Sequence, residues 1–103
     1  MTEQPFTKFS NGNSYPTIGL GTAFLEKDQC IEIVKAAILE HGYRSIDTAS
    51  IYKNEEAIGQ ALHEIFETGK VKREEICVTT KFWHTEKSDI EGALKRSLDK
   101  LKL

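Results

Sequence analysis

The spacing of apolar residues along the chain predicts three amphipathic helices. They span residues 28–41, residues 54–68 and a segment that begins at Ser88. Apolar side chains recur on one face of each segment at the helical period of three to four residues. The three apolar stripes are, in chain order, Ile31, Val34, Ala37 and Ile38; Ile58, Ala61, Leu62, Ile65 and Phe66; and Ile90, Leu94, Leu98 and Leu101. Gly42 and Gly69 follow the first two helices, where glycine commonly ends a helix.

Polar residues at the starts of the second and third helices support this prediction. Asn54 is a favourable N-cap, and Glu55 and Glu56 suit the positive end of the helix dipole. Residues 88–91, with the sequence SDIE, have the form of a capping box whose cap is Ser88. The two helices are therefore predicted to begin at these caps.

Short strands are predicted between the helices. The segments are IGLGT at residues 18–22, YRSID at residues 43–47 and ICVTTK at residues 76–81. Strands that alternate with helices along a chain pair in parallel, through right-handed crossovers. The sequence therefore predicts a parallel sheet with helices packed against it.

Two connecting segments follow neither period. Residues 6–17 carry Asn11-Gly12 between short apolar stretches, and this dipeptide favours a tight hairpin turn. Pro16 is expected to end the hairpin ladder, because proline has no backbone N–H to donate. Residues 70–75, with the sequence KVKREE, are predicted to be a solvated loop.

The predicted order is a hairpin followed by strand and helix three times. A three-stranded parallel sheet is rarely a finished domain, because its faces and its open edge need further cover. We therefore expect an α/β fold in which residues 1–103 are the amino-terminal portion of one larger domain. That portion contains the hairpin and about three βα units, and it ends before a fourth strand.

Composition and charge argue against several classes of function. The 103 residues carry a net charge of −2, which gives no electrostatic basis for binding nucleic acid or an anionic membrane. No apolar run approaches the roughly 18–20 residues that span a bilayer, and the first ten residues do not resemble a signal peptide. Cys30 and Cys77 lie in separate apolar stretches, so they are predicted to be reduced thiols of a cytoplasmic protein, not metal ligands.

Three polar side chains are predicted to meet at the carboxyl ends of neighbouring strands, where parallel α/β proteins place their chemistry. Asp47 ends one strand, Tyr52 lies in the loop that follows, and Lys81 closes the next strand. An ammonium about 4 Å from a phenol, at an effective dielectric of 20, favours the phenolate by roughly 4 kcal/mol. Such a pair suits proton transfer in carbonyl reduction or alcohol oxidation. The alternative from residue types alone is a helix cap, a packed aromatic and a surface lysine.

Three motifs of this chain resemble the aldo-keto reductase superfamily: IGLGT, GYRSIDTASIYKNEEAIGQAL and VTTKFW. The resemblance extends from the hairpin to the third helix. It implies a TIM (β/α)8 barrel and an NADPH-dependent oxidoreductase that acts on a small-molecule carbonyl or alcohol. By that resemblance, Tyr52 is the general acid/base, Lys81 makes it a better proton donor, and Asp47 pairs with Lys81.

The same resemblance assigns the residues around this trio. Gly21, Thr22 and Asp47 are expected beside the nicotinamide and its ribose, whereas the glycine by itself would be read as a turn residue. Trp83 is expected to line the substrate pocket; without the family it would be an aromatic that anchors a loop. Phe24 is a second candidate for that pocket, because the family often places an aromatic one position earlier, directly after the Gly-Thr pair. The hairpin would close the bottom of the barrel.

The fourth catalytic residue of the family, a histidine on the fourth strand, would follow residue 103. His41 and His63 lie on predicted helices and do not replace it, whereas His84 lies near enough to Lys81 to reach the pocket. Two hypotheses of function therefore stand. The first is the reduction of aldehydes and ketones by a longer parent protein. The alternative is a non-catalytic truncated fragment, or an interaction or regulatory module of the same superfamily.

Overall fold

A computed structural model describes residues 5–103, and within that range the chain forms five strands and three helices. The strands are β1 (Phe6–Lys8), β2 (Ser14–Pro16), β3 (Leu20–Gly21), β4 (Ser45–Asp47) and β5 (Cys77–Thr79). The helices are α1 (Lys27–Leu39), α2 (Glu55–Glu67) and α3 (Ile90–Leu101). Short 3₁₀ turns occupy Ser50–Tyr52, Arg73–Glu75 and His84–Glu86. This order confirms the predicted hairpin and three strand–helix units.

The strands form two separate sheets. β1 and β2 pair antiparallel, with Thr7 opposite Tyr15. The other three strands pair in parallel in the order β3-β4-β5. Gly21 lies opposite Asp47, and Asp47 lies opposite Thr79, so the carboxyl ends of the three strands are level with one another. The loops that leave these ends consequently share one edge of the sheet.

The parallel strands are shorter than predicted, because the flanking backbone groups bond elsewhere. Tyr43, at the start of the segment predicted as strand 43–47, donates its N–H to the Ala37 carbonyl near the end of α1, at 2.9 Å. At the far end of the segment predicted as strand 76–81, the Lys81 carbonyl accepts from the Ser50 N–H at 3.0 Å. Ser50 belongs to a turn, so the regular ladder has already ended there.

The hairpin lies against the last strand of the parallel sheet. The Tyr15 and Thr79 hydroxyls are 3.2 Å apart, within hydrogen-bonding distance. Pro16 is the last residue of β2, as predicted, but the Thr17 N–H beyond it still donates to the Pro5 carbonyl at 3.0 Å. The hairpin therefore forms a small sheet of its own that is held to β5 by at least one side-chain contact.

The hydrophobic core lies between α1, α2 and the parallel sheet. Ile46, in the middle of β4, is fully buried among the apolar stripes of the two helices. The buried cluster comprises Cys30, Ile31, Val34, Ile38, Ile46, Ala57, Ile58, Ala61, Leu62, Ile65, Val71, Ile76 and Leu101. Burial of one large aliphatic side chain contributes roughly 1.5–3 kcal/mol, so this cluster dominates the stability of the fold. Val71 corrects the prediction of a fully solvated loop at residues 70–75.

The start of the third helix differs from its prediction by one residue. α3 begins at Ile90, and its N-cap is Asp89 in place of Ser88. The Asp89 carboxylate accepts a hydrogen bond from the Gly92 N–H at 3.0 Å. A carboxylate at this position also suits the helix dipole, which explains why the acidic residue is the cap.

The face that α3 buries also differs from the apolar stripe on which the helix was predicted. Exposure of 38–54% is found for three residues of that stripe, Ile90, Leu94 and Leu98. The buried residues of α3 are instead Ala93, Ser97 and Leu101. Small residues permit close approach to α2, where a Cβ on Gly59 would overlap the Lys100 carbonyl oxygen. Ile90, Leu94 and Leu98 consequently stay on an uncovered face, whereas Leu101 of the same stripe is buried.

Sites of several other kinds are absent from the part of the chain that the structure describes. Between residues 5 and 103, no group of three or more His, Cys, Asp or Glu side chains could hold a metal ion. No helix in the same range is long and apolar enough to cross a membrane. Cys30 and Cys77 are free thiols, and burial raises the pKa of the Cys30 thiol.

Candidate active site

The three predicted strand-end residues lie together in the structure. Asp47 is the last residue of β4, Tyr52 ends the turn that follows, and Lys81 lies two residues beyond β5. The hydrogen bond from the Ser50 N–H to the Lys81 carbonyl joins the two loops. We call Asp47, Tyr52 and Lys81 the charged array.

The ammonium of Lys81 lies between the other two members of the array. Its Nζ donates to Asp47 Oδ1 at 2.6 Å and to the Tyr52 hydroxyl at 3.4 Å. The same nitrogen is 5.2 Å from the centroid of the Tyr52 ring. One cation is thus in contact with both a carboxylate and a phenol. In this arrangement the cation can stabilise negative charge on the phenol oxygen.

Water reaches the charged array. The Lys81 and Asp47 side chains are 46% and 45% exposed. The Lys81 pKa is raised, mainly by the hydrogen bond to Asp47. Desolvation lowers this pKa in part, and the hydrogen bond to Tyr52 raises it further. Lys81 is therefore an ammonium at neutral pH, although solvent screening keeps the stability contribution of the pair small.

A second group of polar residues, most of them buried, lies at the same strand ends as the array. A threonine directly follows each parallel strand: Thr22 after β3, Thr48 after β4 and Thr80 after β5. Thr22 and Thr48 are fully buried, and Thr80 is half-buried. Asn54, which bonds to Thr48, and Glu55, which bonds to Thr80, are nearly fully buried. We call these five residues the threonine layer.

Each threonine hydroxyl donates to a neighbouring element. Thr22 Oγ1 donates to the Asp47 carbonyl at 2.9 Å, and Thr48 Oγ1 donates to Asn54 Oδ1 at 2.8 Å. Thr80 Oγ1 donates to Glu55 Oε2 at 2.7 Å. The layer therefore ties the ends of all three strands to one another and to the start of α2.

Asn54 completes the layer and corrects its predicted role. It occupies the N-cap position of α2, but its side chain makes no capping hydrogen bond. Its Nδ2 instead donates to the Thr22 carbonyl at 2.7 Å, while Oδ1 accepts from Thr48. This role of Asn54 was not predicted from sequence, and neither were the hydrogen bonds of Glu55 and of the three threonines. The signal that could have revealed it is the recurrence of threonine after the third, fourth and fifth strands.

The residues predicted to bind the cofactor differ in their accessibility to a ligand. Gly21 is exposed, and a Cβ built there would meet nothing within 4 Å, so its backbone faces open space at the strand end. Thr22 is buried, and its N–H, hydroxyl and carbonyl are all bonded within the chain. Gly21 and Asp47 are thus accessible to a ligand, whereas the Thr22 side chain positions the strand end.

The two aromatic residues expected at the substrate lie in different surroundings. Trp83 is 42% exposed, just beyond Lys81, and its ring is 4.9 Å from that of His84. Phe24 is 98% exposed and has a left-handed backbone, with φ of 66°. The Trp83 ring is thus partly covered, two residues beyond Lys81 in the chain, whereas Phe24 projects into solvent.

These features define an α/β protein with a polar site at the carboxyl ends of its parallel strands. A sequence model of the aldo/keto reductase family matches residues 17–103. The chain belongs to the aldo/keto reductase family.

Curated relatives are longer than this chain. The NADP-dependent D-sorbitol-6-phosphate dehydrogenase of Malus domestica is 47% identical over 94 residues, which cover 91% of this chain and 30% of that protein. Methylglyoxal reductase DkgA of Yersinia pestis is 44% identical over 103 residues, which cover 100% of this chain and 35% of that protein. The chain thus spans about a third of the length of these relatives.

Solved structures give the same result for the fold. The crystal structure of the Bombyx mori aldo-keto reductase AKR2E4, in complex with NADP, matches with a TM-score of 0.90 at 38% identity. The match covers 100% of this chain and 36% of that chain. The fold described above is therefore part of a TIM (β/α)8 barrel, as the sequence motifs implied.

Proposed function

We propose that this chain provides the proton-transfer residues of an oxidoreductase that reduces aldehydes or ketones to alcohols with NADPH. The observation that carries the proposal is the contact of one ammonium, Lys81 Nζ, with both Asp47 and the Tyr52 hydroxyl. A relative named as a methylglyoxal reductase and another named as NADP-dependent support the substrate class and the cofactor.

In this proposal, Tyr52 donates its phenolic proton to the oxygen of the carbonyl as that oxygen becomes an alkoxide. The charge of Lys81 stabilises the phenolate that remains, and Asp47 keeps the ammonium oriented towards the phenol. In alcohol oxidation the same phenolate takes the proton back. Bound NADPH supplies the hydride for reduction.

The open backbone of Gly21 and the accessible Asp47 carboxylate fit a bound nicotinamide nucleotide at the strand ends. Gly21 would allow close approach of the ligand, and Asp47 would accept a hydrogen bond from it. Thr22 would act indirectly, because its bonds to Asp47 and Asn54 hold this strand end. Trp83 and Phe24 are proposed to line the substrate side, with Trp83 the nearer to Lys81.

We also propose that residues 1–103 form the amino-terminal portion of a single barrel domain. Two observations support this: the relatives are about three times as long, and the apolar residues of α3 are exposed. In a complete barrel, neighbouring βα units would cover that face. A barrel of this type typically needs about 250 residues, so the 103-residue chain by itself is expected to be inactive.

The substitution Tyr52→Phe tests the proposal in a full-length protein that carries these residues. It removes the proton donor and leaves the ring in place, so kcat for reduction of methylglyoxal should fall by about 10²–10⁴-fold. NADPH oxidation gives the rate, and a fluorescence titration of NADPH checks that cofactor binding is retained.

The matched control is Tyr43→Phe, which removes a phenol hydroxyl outside the array and should leave the rate unchanged. Near-normal reduction by the Tyr52→Phe variant would refute the role of Tyr52. An inactive wild-type protein that still binds NADPH would refute the proposed substrate class.

A further inference from the structure

A carboxylate outside the charged array joins the two loops that carry the array. Glu86, in the turn after Trp83, accepts a hydrogen bond at Oε1 from the Trp83 N–H, at 2.9 Å. The same oxygen accepts a hydrogen bond from the hydroxyl of Ser50. Ser50 begins the turn that ends at Tyr52, so a single oxygen atom connects the loop of Trp83 with the loop of Tyr52.

The second oxygen of Glu86 faces α3. Glu86 Oε2 lies 3.4 Å from Nη2 of Arg96. The Glu86 side chain is only 20% exposed, whereas that of Arg96 is 53% exposed. The carboxylate is thus partly withdrawn from water and is held by three segments of the chain, which makes its hydrogen bonds stronger than those of a solvated surface pair.

The loop of Trp83 and the loop of Tyr52 share few backbone hydrogen bonds, so a side-chain contact from Glu86 can affect how they are held together. The Lys81 carbonyl accepts from the Ser50 N–H at 3.0 Å, and the Trp83 carbonyl accepts from the Glu86 N–H at 2.8 Å. The first bond fixes the loops at Lys81, and the second closes the turn locally. Glu86 supplies the contact that joins the Trp83 backbone to the turn bearing Tyr52.

We propose that Glu86 is a positioning residue that holds the Trp83 loop against the Ser50–Tyr52 turn. It thereby sets the distance between the wall of the substrate pocket and the proton donor. The contact between the two loops is inferred from the hydrogen bonds alone. Its expected effect on substrate binding rests on the proposed function.

Trp83 provides the readout, because it is the sole tryptophan of the 103 residues. Glu86→Ala removes the shared acceptor, so acrylamide should quench Trp83 fluorescence more strongly and the emission should shift to longer wavelength. Glu86→Gln keeps an Oε1 acceptor for both donors, so it should restore most of the wild-type signal. Glu91→Ala, at an exposed glutamate paired with Lys95 on α3, is the matched control and should change nothing.

Each result decides for or against the proposal. Quenching by Glu86→Ala equal to wild type, with unchanged circular dichroism, would overturn it. Glu86→Gln behaving like Glu86→Ala would assign the effect to the Arg96 pair and would also overturn it. If Glu86→Ala loses its helical signal, Ser50→Ala removes one of the two donors to Glu86 Oε1 and disturbs the chain less. Increased quenching in that folded variant supports the positioning role of Glu86, and no change refutes it.

Kinetics of the full-length protein separate this proposal from the proposed function. Glu86→Ala should raise KM for methylglyoxal about tenfold, with kcat changed less than about threefold, because loss of positioning weakens substrate binding more than proton donation. A fall in kcat at constant KM would contradict the role given to Glu86. If wild-type protein reduces no carbonyl, the proposed function fails, while the fluorescence result still decides the loop contact.

Discussion

Two polar clusters at the carboxyl ends of the parallel strands differ in their access to water. The charged array is about half exposed at Lys81 and Asp47. In the threonine layer, Thr22 and Thr48 are fully buried. Each cluster has a polar residue at the carboxyl end of β4 and another in the loop after β5, so position in the sequence alone does not separate them.

This difference in burial gives the two clusters different roles in stability and in access to a ligand. Water cannot replace the partner lost from a buried hydrogen bond. The hydrogen bonds of the threonine layer therefore favour one geometry, and the loss of any partner lowers the free energy of unfolding. Exposed ion pairs are screened and contribute little to stability, yet they remain accessible to a ligand. The threonine layer therefore fixes the strand ends, and the charged array remains accessible to a ligand.

The largest expected effect comes from Asn54→Ala, which breaks the threonine layer at its centre. The Thr22 carbonyl and the Thr48 hydroxyl both lose a buried partner, so the free energy of unfolding should fall by about 3 kcal/mol. Urea denaturation of the 103-residue chain measures this change.

The control for Asn54→Ala is Asn11→Ala in the exposed hairpin turn. Asn11 Oδ1 accepts from the Asn13 N–H, a bond that water can replace, so the loss should stay below about 1 kcal/mol. Equal losses in the free energy of unfolding for the two variants would show that the buried bonds of Asn54 contribute no more than the exposed bond of Asn11.

A smaller effect is expected from Thr80→Val, which preserves shape but removes the donor to buried Glu55. The free energy of unfolding should fall by about 1–2 kcal/mol, because the Glu55 carboxylate keeps no replacement for that hydrogen bond. The matched substitution is Thr7→Val, since the Thr7 hydroxyl is bonded to that of Thr17 but lies exposed. A Thr7→Val loss as large as that of Thr80→Val would count against the comparison.

The smallest effect on stability is expected from Lys81→Met in the charged array. At neutral pH the loss should stay below about 1 kcal/mol, because the pair with Asp47 is screened by solvent. The Lys81 pKa is raised in the folded chain, so its contribution is fully present below the ordinary lysine value of about 10.4. It is then lost as the pH rises through the higher folded pKa.

Denaturation of wild type and Lys81→Met from neutral to alkaline pH tests this sign. The difference between the two proteins should be constant up to about pH 10 and shrink above it. A difference that instead grows with pH would mean that burial, which lowers a lysine pKa, outweighs the hydrogen bond to Asp47.

Much of the fold could be predicted from sequence. The helices α1 and α2 bury the apolar stripes that their periodicity indicates, because both sides of each contact lie within the described chain. In the apolar stripe of α3 only Leu101 is buried, and the exposure of its other three residues was not predicted, since a periodic pattern reveals a face and not its partner. Trp83 and Lys81 were placed near each other because they are neighbours in sequence, whereas Glu86 was missed because its role depends on Ser50.

The sequence by itself determined the order of elements, the parallel pairing and the meeting of Asp47, Tyr52 and Lys81. Periodicity and turn residues are local signals, and parallel strands bring their carboxyl ends to one edge. Only the tertiary structure decided that Asn54 turns inward to Thr22 in place of capping α2, and that α3 buries its small residues. Both outcomes depend on partners far away in the chain, which no local pattern specifies: Asn54 and Thr22 are 32 residues apart.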